Sequence, residues 1–208
     1  MSDYLYDAPL PAALTVQVPS AISFRFDQVI RLFLQQPQSS ASFTSTTIKV
    51  LSNWTTLVAA TDATKIVYTP CFSSFVMPPS TEMKQGGNTN ETINGIPDYF
   101  SESYVPCTGS FRNLDPVTEA ALRSLTIFSL QNAVAGTSLT AYMVNKDGFI
   151  FSDAAWNGIK IFNFRLGTRG SAGLNQPDMT PFSFDLKPFW SKSLTVNQPS
   201  FDPISAFV

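Results

Sequence analysis

The alternation in "AISFRFDQVIRLFLQ", residues 21–35, constrains this chain more than any other stretch. Ile22, Phe24 and Phe26 fall on one side of an extended backbone and Ser23, Arg25 and Asp27 on the other. That two-residue period belongs to a half-buried strand. Val29 to Leu34 then turns apolar on both faces, and a run of that length fits a buried strand or a short helical turn equally well. The same residue types recur in "SFTSTTIKVLSN", "TTLVAAT" and "KIVYTPCFSSFVMPP", separated by the turn formers Asn53 and Asp62. β-branched and aromatic runs of this kind predict an antiparallel meander. Proline cannot donate to a ladder, so Pro70, Pro78 and Pro79 confine their strands to edges or ends.

Between residues 80 and 98 the pattern stops. "KQGGNTNETINGIP", Lys84 to Pro97, offers Gly86, Gly87, Asn88, Asn90 and Asn94, which accept positive φ or cap turns, and too few apolar groups to bury. It reads as a long excursion from the sheet, either a contact loop that orders against a partner or a plain surface loop. A helix is predicted next, over about residues 116–131. Asp115 is its N-cap, Pro116 its first helical residue and Glu119 its first-turn acid. Val117, Ala121, Leu125 and Phe128 are its expected core stripe.

After Gly136, "TSLTAYMVN", "KDG" and "FIFS" predict a hairpin around Asp147 and Gly148. In "GIKIFNFRLG", Ile159 and Ile161 compete with Phe162 and Phe164 for the two faces of one strand. One face is then expected to meet another sheet or another subunit. Residues 1–20 show little periodicity and read as an extended N-terminal arm. Residues 167–208 combine prolines with Phe182, Phe184, Phe189, Trp190, Phe201 and Phe207, an extended tail tying together surfaces of its own domain or of a neighbour. At 208 residues the chain suits one domain, mainly antiparallel β as a sandwich or barrel, with one amphipathic α-helix and extended termini. The β-rich core is expected over residues 21–166.

Chemistry is hard to find. Histidine is absent, which removes the usual general base and the commonest metal ligand. Cys71 and Cys107 lack metal-binding spacing and are compatible with a disulfide or with two buried thiols. Asp98 and Glu102 offer a carboxylate pair of the kind a glycosidase uses. "NTNETING" lacks the acidic spacing of a calcium loop, and "GSFRN" and "GTRGSAG" lack the strand-to-helix order of a phosphate loop. Lys192 in "SKS" has no recognisable catalytic setting. The expectation is therefore no enzyme, no catalytic residue, no cofactor and no metal. A net charge of −2, with 13 scattered Lys and Arg, leaves no footprint for direct nucleic-acid binding. "MSDYLYDAPLPAALTVQVP" carries acids where a signal peptide has a basic start, and no run approaches the roughly 18 apolar residues of a membrane span. A soluble chain with no membrane partner is expected. Charged residues make up 13% of it, half the usual ~25%. That composition suits a surface covered by neighbours, or a β protein exposed outside the cell or on a virion.

The order of a β meander, a polar loop, an amphipathic helix, further strands and a proline-aromatic tail resembles tailed-bacteriophage virion proteins, especially tail-tube-like subunits. The resemblance runs from about Ser20 to Phe164. "GGNTNETINGIP" and "GSFRNLDPVTEAALRSL" are similar to segments of phage structural proteins. It implies a β-sandwich or barrel flanked by one helix, with Lys84 to Pro97 as the loop reaching the next ring or subunit. The implied assembly contacts are Lys84, Gly86, Gly87, Asn88, Asn90 and Asn94 in the loop, joined by the tail anchors Phe189, Trp190 and Phe201. The implied partners are further copies of the chain and other virion proteins, in a particle built from subunits made in the host cytoplasm. The aromatic tail departs from a minimal tube subunit and favours a capsid, cement or connector role. Two other classes stay open: a glycan-binding receptor module using Trp54, Trp156 or Trp190, and a β-fold hydrolase.

Overall fold

The computed structural model describes residues 28–37, 42–86, 96–133, 139–171, 173 and 177–207. The expected arm over residues 1–20, the alternation at Ile22 to Phe26, and Gly87, Asn88, Asn90 and Asn94 lie outside the described residues. In chain order the elements are β1 (Val29–Gln35), α1 (Leu51–Ala59), β2 (Ile66–Tyr68), β3 (Phe72–Val76), β4 (Glu82–Gln85), β5 (Asp98–Glu102) and β6 (Val105–Arg112). They continue with α2 (Pro116–Ala133), β7 (Thr140–Asn145), β8 (Ile150–Asp153), β9 (Ile159–Leu166), β10 (Met179–Leu186) and β11 (Leu194–Asn197).

Nine strands join in antiparallel pairs, in the order β11-β8-β7-β9-β10-β6-β3, with β1 on β7 and β2 on β1. The fold is mainly antiparallel β and sandwich-like, as the alternating runs predict. The sheet becomes two layers because β9 changes partner. Its first residues pair with β7, Ile159 opposite Ala141, and the rest pair with β10, from Ile161 opposite Leu186 to Leu166 opposite Phe182. A strand that passes between layers makes the corner of such a fold. Leu32, Met143, Phe151, Ile161, Phe164 and Phe184 fill the core between the layers. Each large apolar side chain fully buried there contributes about 1.5–3 kcal/mol.

All six residues of β7 are buried. Ala141 and Met143 face this core, while Tyr142 and Val144 face a second cluster on the opposite side, with Phe33, Phe43, Trp54 and Phe207. The competition on β9 is settled by a bulge. Asn163 takes φ 53 and the register with β10 shifts there, so Ile159, Ile161, Phe164 and Leu166 all reach one core. One extra residue changes which face the later side chains use, and asparagine tolerates the left-handed backbone this requires. Phe162 is left outside, edge-on to Tyr104 at 5.7 Å and 5.4 Å from the Lys187 ammonium.

Three local expectations are corrected. Residues 51–59, read from their Val, Thr and Leu content as part of the meander, form the helix α1. Ile48, Leu51, Trp54 and Val58 recur at helical spacing and all join the second cluster. Trp54 stacks on Phe43 at 4.4 Å and donates from Nε1 to the Ile48 carbonyl at 2.8 Å. Tertiary packing thus overrides weak β propensity.

The second correction is the buried face of α2. Its N-terminus is as expected, with Asp115 Oδ1 accepting from the Val117 and Thr118 amides at 3.0 and 2.9 Å. The inward residues are Leu122, Leu125, Phe128 and Ser129, whereas Val117 is 80% exposed and Ala121 is exposed too. The rotation has a physical cause. Ser129 Oγ accepts the Phe164 amide and Thr126 Oγ1 the Leu166 amide, each at 3.0 Å, so two hydroxyls cap amides of β9 that would otherwise lack a partner.

The third concerns the C-terminal segment. Met179–Leu186 is not a strap over the surface but β10, an interior strand between β6 and β9, and β11 pairs with β8. Phe182, Phe184 and Phe207 are buried in their own domain. Gly109 is required here, because a Cβ at that position would lie 2.5 Å from the Phe182 ring.

Candidate assembly surface

β4 and β5 form a two-stranded sheet of their own, separate from the main sheet. Their register sets Glu82 opposite Glu102, Met83 opposite Ser101, Lys84 opposite Tyr99 and Gln85 opposite Asp98, with an irregularity after Met83. The base is closed by short polar contacts. Ser103 N–H donates to the Thr81 carbonyl at 2.8 Å, the Thr81 amide donates to Ser103 Oγ at 2.9 Å, and Ser80 Oγ donates to the Glu102 carboxylate. Lys84 and Glu82 form an ion pair with both side chains in water, which contributes little to stability.

The apolar side chains of this ribbon face solvent. Met83, Ile96, Tyr99 and Tyr104 are exposed, and Phe100 is 60% exposed. Two strands alone bury too little to be independently stable, so a ribbon carrying this much exposed aromatic surface is unusual unless something covers it. The Tyr99 hydroxyl is held above its ordinary pKa, first by partial desolvation and then by the Glu102 and Glu82 carboxylates.

A cavity of about 530 Å³ adjoins the ribbon's base, lined by Pro78, Pro79, Glu102, Phe189 and Trp190 among others. Phe189 has left-handed backbone, φ 58, directly before a short 3-10 turn, Trp190–Ser193, and is 60% exposed. A bulky residue in that region is a backbone outlier held by its surroundings. Here the Lys192 amide donates to the Phe189 carbonyl at 2.9 Å.

Of the expected contact residues, the structure gathers Lys84 on β4, Gly86 just beyond its end, and Phe189 and Trp190 beside its base. Trp190 also packs against the main core. Phe201 is elsewhere, partly buried against the second cluster with Phe207 at 6.3 Å. The sequence analysis did not single out Met83, Ile96, Tyr99 and Phe100, which the structure shows as exposed apolar side chains beside the loop. Their signal was an aromatic pair, Tyr99 and Phe100, immediately after a polar loop.

The cysteines are both free thiols, Cys71 exposed and Cys107 buried. Burial pushes the Cys107 thiol up to about 12, with a smaller contribution from Asp185. Asp98 and Glu102 stand at the two ends of β5, roughly 13 Å apart at strand rise, beyond the carboxylate separations of either glycosidase mechanism. Trp54 is fully buried and so cannot line a glycan site, and Trp156 packs on the second cluster. Among the described residues no group of three His, Cys, Asp or Glu side chains is placed to hold a metal ion, and no helix is long and apolar enough to cross a membrane.

No protein-family model and no curated protein matches the chain. Among solved structures it is similar to a chain in the cryo-EM structure of the anti-feeding prophage (AFP) baseplate, 6-fold symmetrised, at 8% identity. That overlap covers 89% of this chain and 100% of that one, with a TM-score of 0.29.

Proposed function

We propose that this chain is a structural subunit of a virus particle, a bacteriophage tail-tube-like protein that assembles with copies of itself and with other virion proteins rather than acting as an enzyme. The observation that carries the reading is the β4–β5 ribbon, whose Met83, Ile96, Tyr99 and Phe100 are exposed apolar side chains on an element that buries almost nothing in its own domain. Exposed apolar surface of this kind marks interaction sites, and repeated identical contacts in a closed assembly let a small interface suffice.

Two further features support it. Low charge density, 13% of residues, suits a surface largely covered by neighbours. The aromatic C-terminal segment, which argued for a cement or connector role, is accounted for by the subunit's own core through Phe182, Phe184 and Phe207. The test is solution mass with negative-stain imaging of the purified chain over a concentration series. Rings or tubes are the expected result, and a monomer at every concentration would refute self-assembly.

A further inference from the structure

Two cavities of about 570 and 400 Å³ share Lys65, Val67 and Ala121 and so form one groove between β2 and α2. Its walls are mainly apolar, with Val58, Tyr68, Val117, Leu122 and Phe207 in the larger part. Arg31 lines the same part although it is only 4% exposed. Its Nη1 donates to the carbonyls of Pro203 and Ile204 at 3.2 and 2.8 Å, while Nε is buried with no acceptor. Among the described residues no carboxylate pairs with it. Asp202 feels its field, though that carboxyl is held low chiefly by the Ile204 amide. A guanidinium without a carboxylate partner beside an apolar groove favours an occupant that is apolar yet carries negative charge.

The groove also contains a strand edge. The Thr69 amide donates to the Leu32 carbonyl at 2.9 Å, and Val67 stands opposite Leu34. In an antiparallel ladder the bonded pairs alternate, so the amides and carbonyls of Ile66 and Tyr68 point away from β1. Both residues line the groove, Tyr68 half-buried and Ile66 fully buried.

We propose that this groove receives the β4–β5 ribbon of a second copy, with Asp98 facing Arg31 and Lys65 and with Tyr99 and Phe100 against the apolar walls. This rests on the structural-subunit reading and names its contact. Charge complementarity selects the occupant. The ribbon carries Glu82, Asp98 and Glu102 against Lys84, and Glu82 and Glu102 are engaged by Lys84 and Ser80. Among the described residues Asp98 is the carboxylate left at the outer end, beside the exposed Ile96, Tyr99 and Phe100. Among the described lining residues the one carboxylate is Asp62, which lies in the groove's smaller part and is bonded to Thr64, while Asp202 lies near Arg31 outside the lining.

Topology explains why a second copy is needed. Cys71, in the groove, immediately precedes β3, and the ribbon follows it. The five residues of β3 span about 17 Å, so groove and ribbon belong to opposite ends of one strand. Docking is then head to tail, and such a contact closes into rings or propagates as a filament.

Cys71 is exposed and lines the groove, which makes it a native reporter. Ile96→Cys, Asp98→Cys, Tyr99→Cys and Phe100→Cys would each be treated with a mild oxidant, with and without Cys71→Ser. A disulfide needs the two Cα atoms within about 7 Å. At least one ribbon cysteine should give intermolecular disulfide ladders that Cys71→Ser abolishes. Separately, Lys65→Glu and Asp98→Lys should each weaken association about two- to fivefold, and their combination should restore it. Association of the wild type with no ladder from any of the four sites, or no restoration by the charge swap, would overturn this contact while leaving the structural-subunit reading intact. A wild-type chain that stays monomeric, with no ladder, would overturn both.

Discussion

Replacing Ser129 by alanine should destabilise the domain by more than the loss of one small side chain suggests. Ser129 is 2% exposed, and its Oγ accepts the Phe164 amide at 3.0 Å. Phe164 is itself fully buried on β9, so no water can replace the lost acceptor. Leaving one buried donor without a partner costs about 1–3 kcal/mol, a substantial part of a typical domain's 5–15 kcal/mol. For a chain of this length each kcal/mol lowers the melting temperature by about 2–4 °C, so a loss near 2 kcal/mol should appear as ~4–8 °C. Thr126→Val, which removes the acceptor for Leu166, should cost less because Thr126 is only half-buried. Urea unfolding followed by circular dichroism gives the free energy, and hydrogen exchange at Phe164 gives the local effect. A loss below ~0.5 kcal/mol with unchanged protection of that amide would refute the idea that α2 hydroxyls cap β9.

Trp54→Ala should cost about 3–5 kcal/mol, since it removes the stack on Phe43 and the bond to the Ile48 carbonyl; a near-neutral urea midpoint would show that the second cluster does not depend on it. The Asp115 carboxyl is held below its ordinary pKa by bonds from the Thr118 side chain and amide, then the Val117 amide. A depressed carboxyl pKa adds stability above the ordinary Asp range and loses it as pH falls through that range to the folded value. Asp115→Asn keeps the cap and should flatten this part of the acid dependence of the urea midpoint. In the folded, unassembled chain at low concentration a thiol reagent should label Cys71 rapidly and Cys107 only on unfolding, because Cys107 is buried with its thiol at about 12; mass spectrometry of the labelled chain distinguishes the two.

What the sequence makes legible here follows from how local its determinants are. The α2 start and the hairpin at Asp147 and Gly148 rest on caps and turns within a few positions, whereas β10 becomes an interior strand only through its pairing with β6 and β9. Asn145 Oδ1 holds that hairpin by accepting the Asp147 and Phe149 amides at 3.1 and 2.9 Å. α1 was obscured because its β-branched residues mask a helical spacing that makes sense only once Trp54 has Phe43 and Tyr142 to pack on. The inward face of α2 was legible at Leu125 and Phe128 but not at Val117 and Ala121, because hydroxyls of Thr126 and Ser129 serve a distant strand, which no apolar count along the helix reveals. The candidate surface was half legible. The polar loop marks where the chain leaves the sheet, but the exposed apolar residues beside it declare themselves only when the ribbon is seen to stand apart from the core.

The central claim is that the β4–β5 ribbon drives assembly. Sedimentation velocity over a concentration series, comparing the wild type with Tyr99→Ser/Phe100→Ser, tests it most directly, with circular dichroism to confirm that both remain folded. The account predicts large assemblies for the wild type and a folded monomer for the variant. Identical sedimentation of the two folded chains would contradict it.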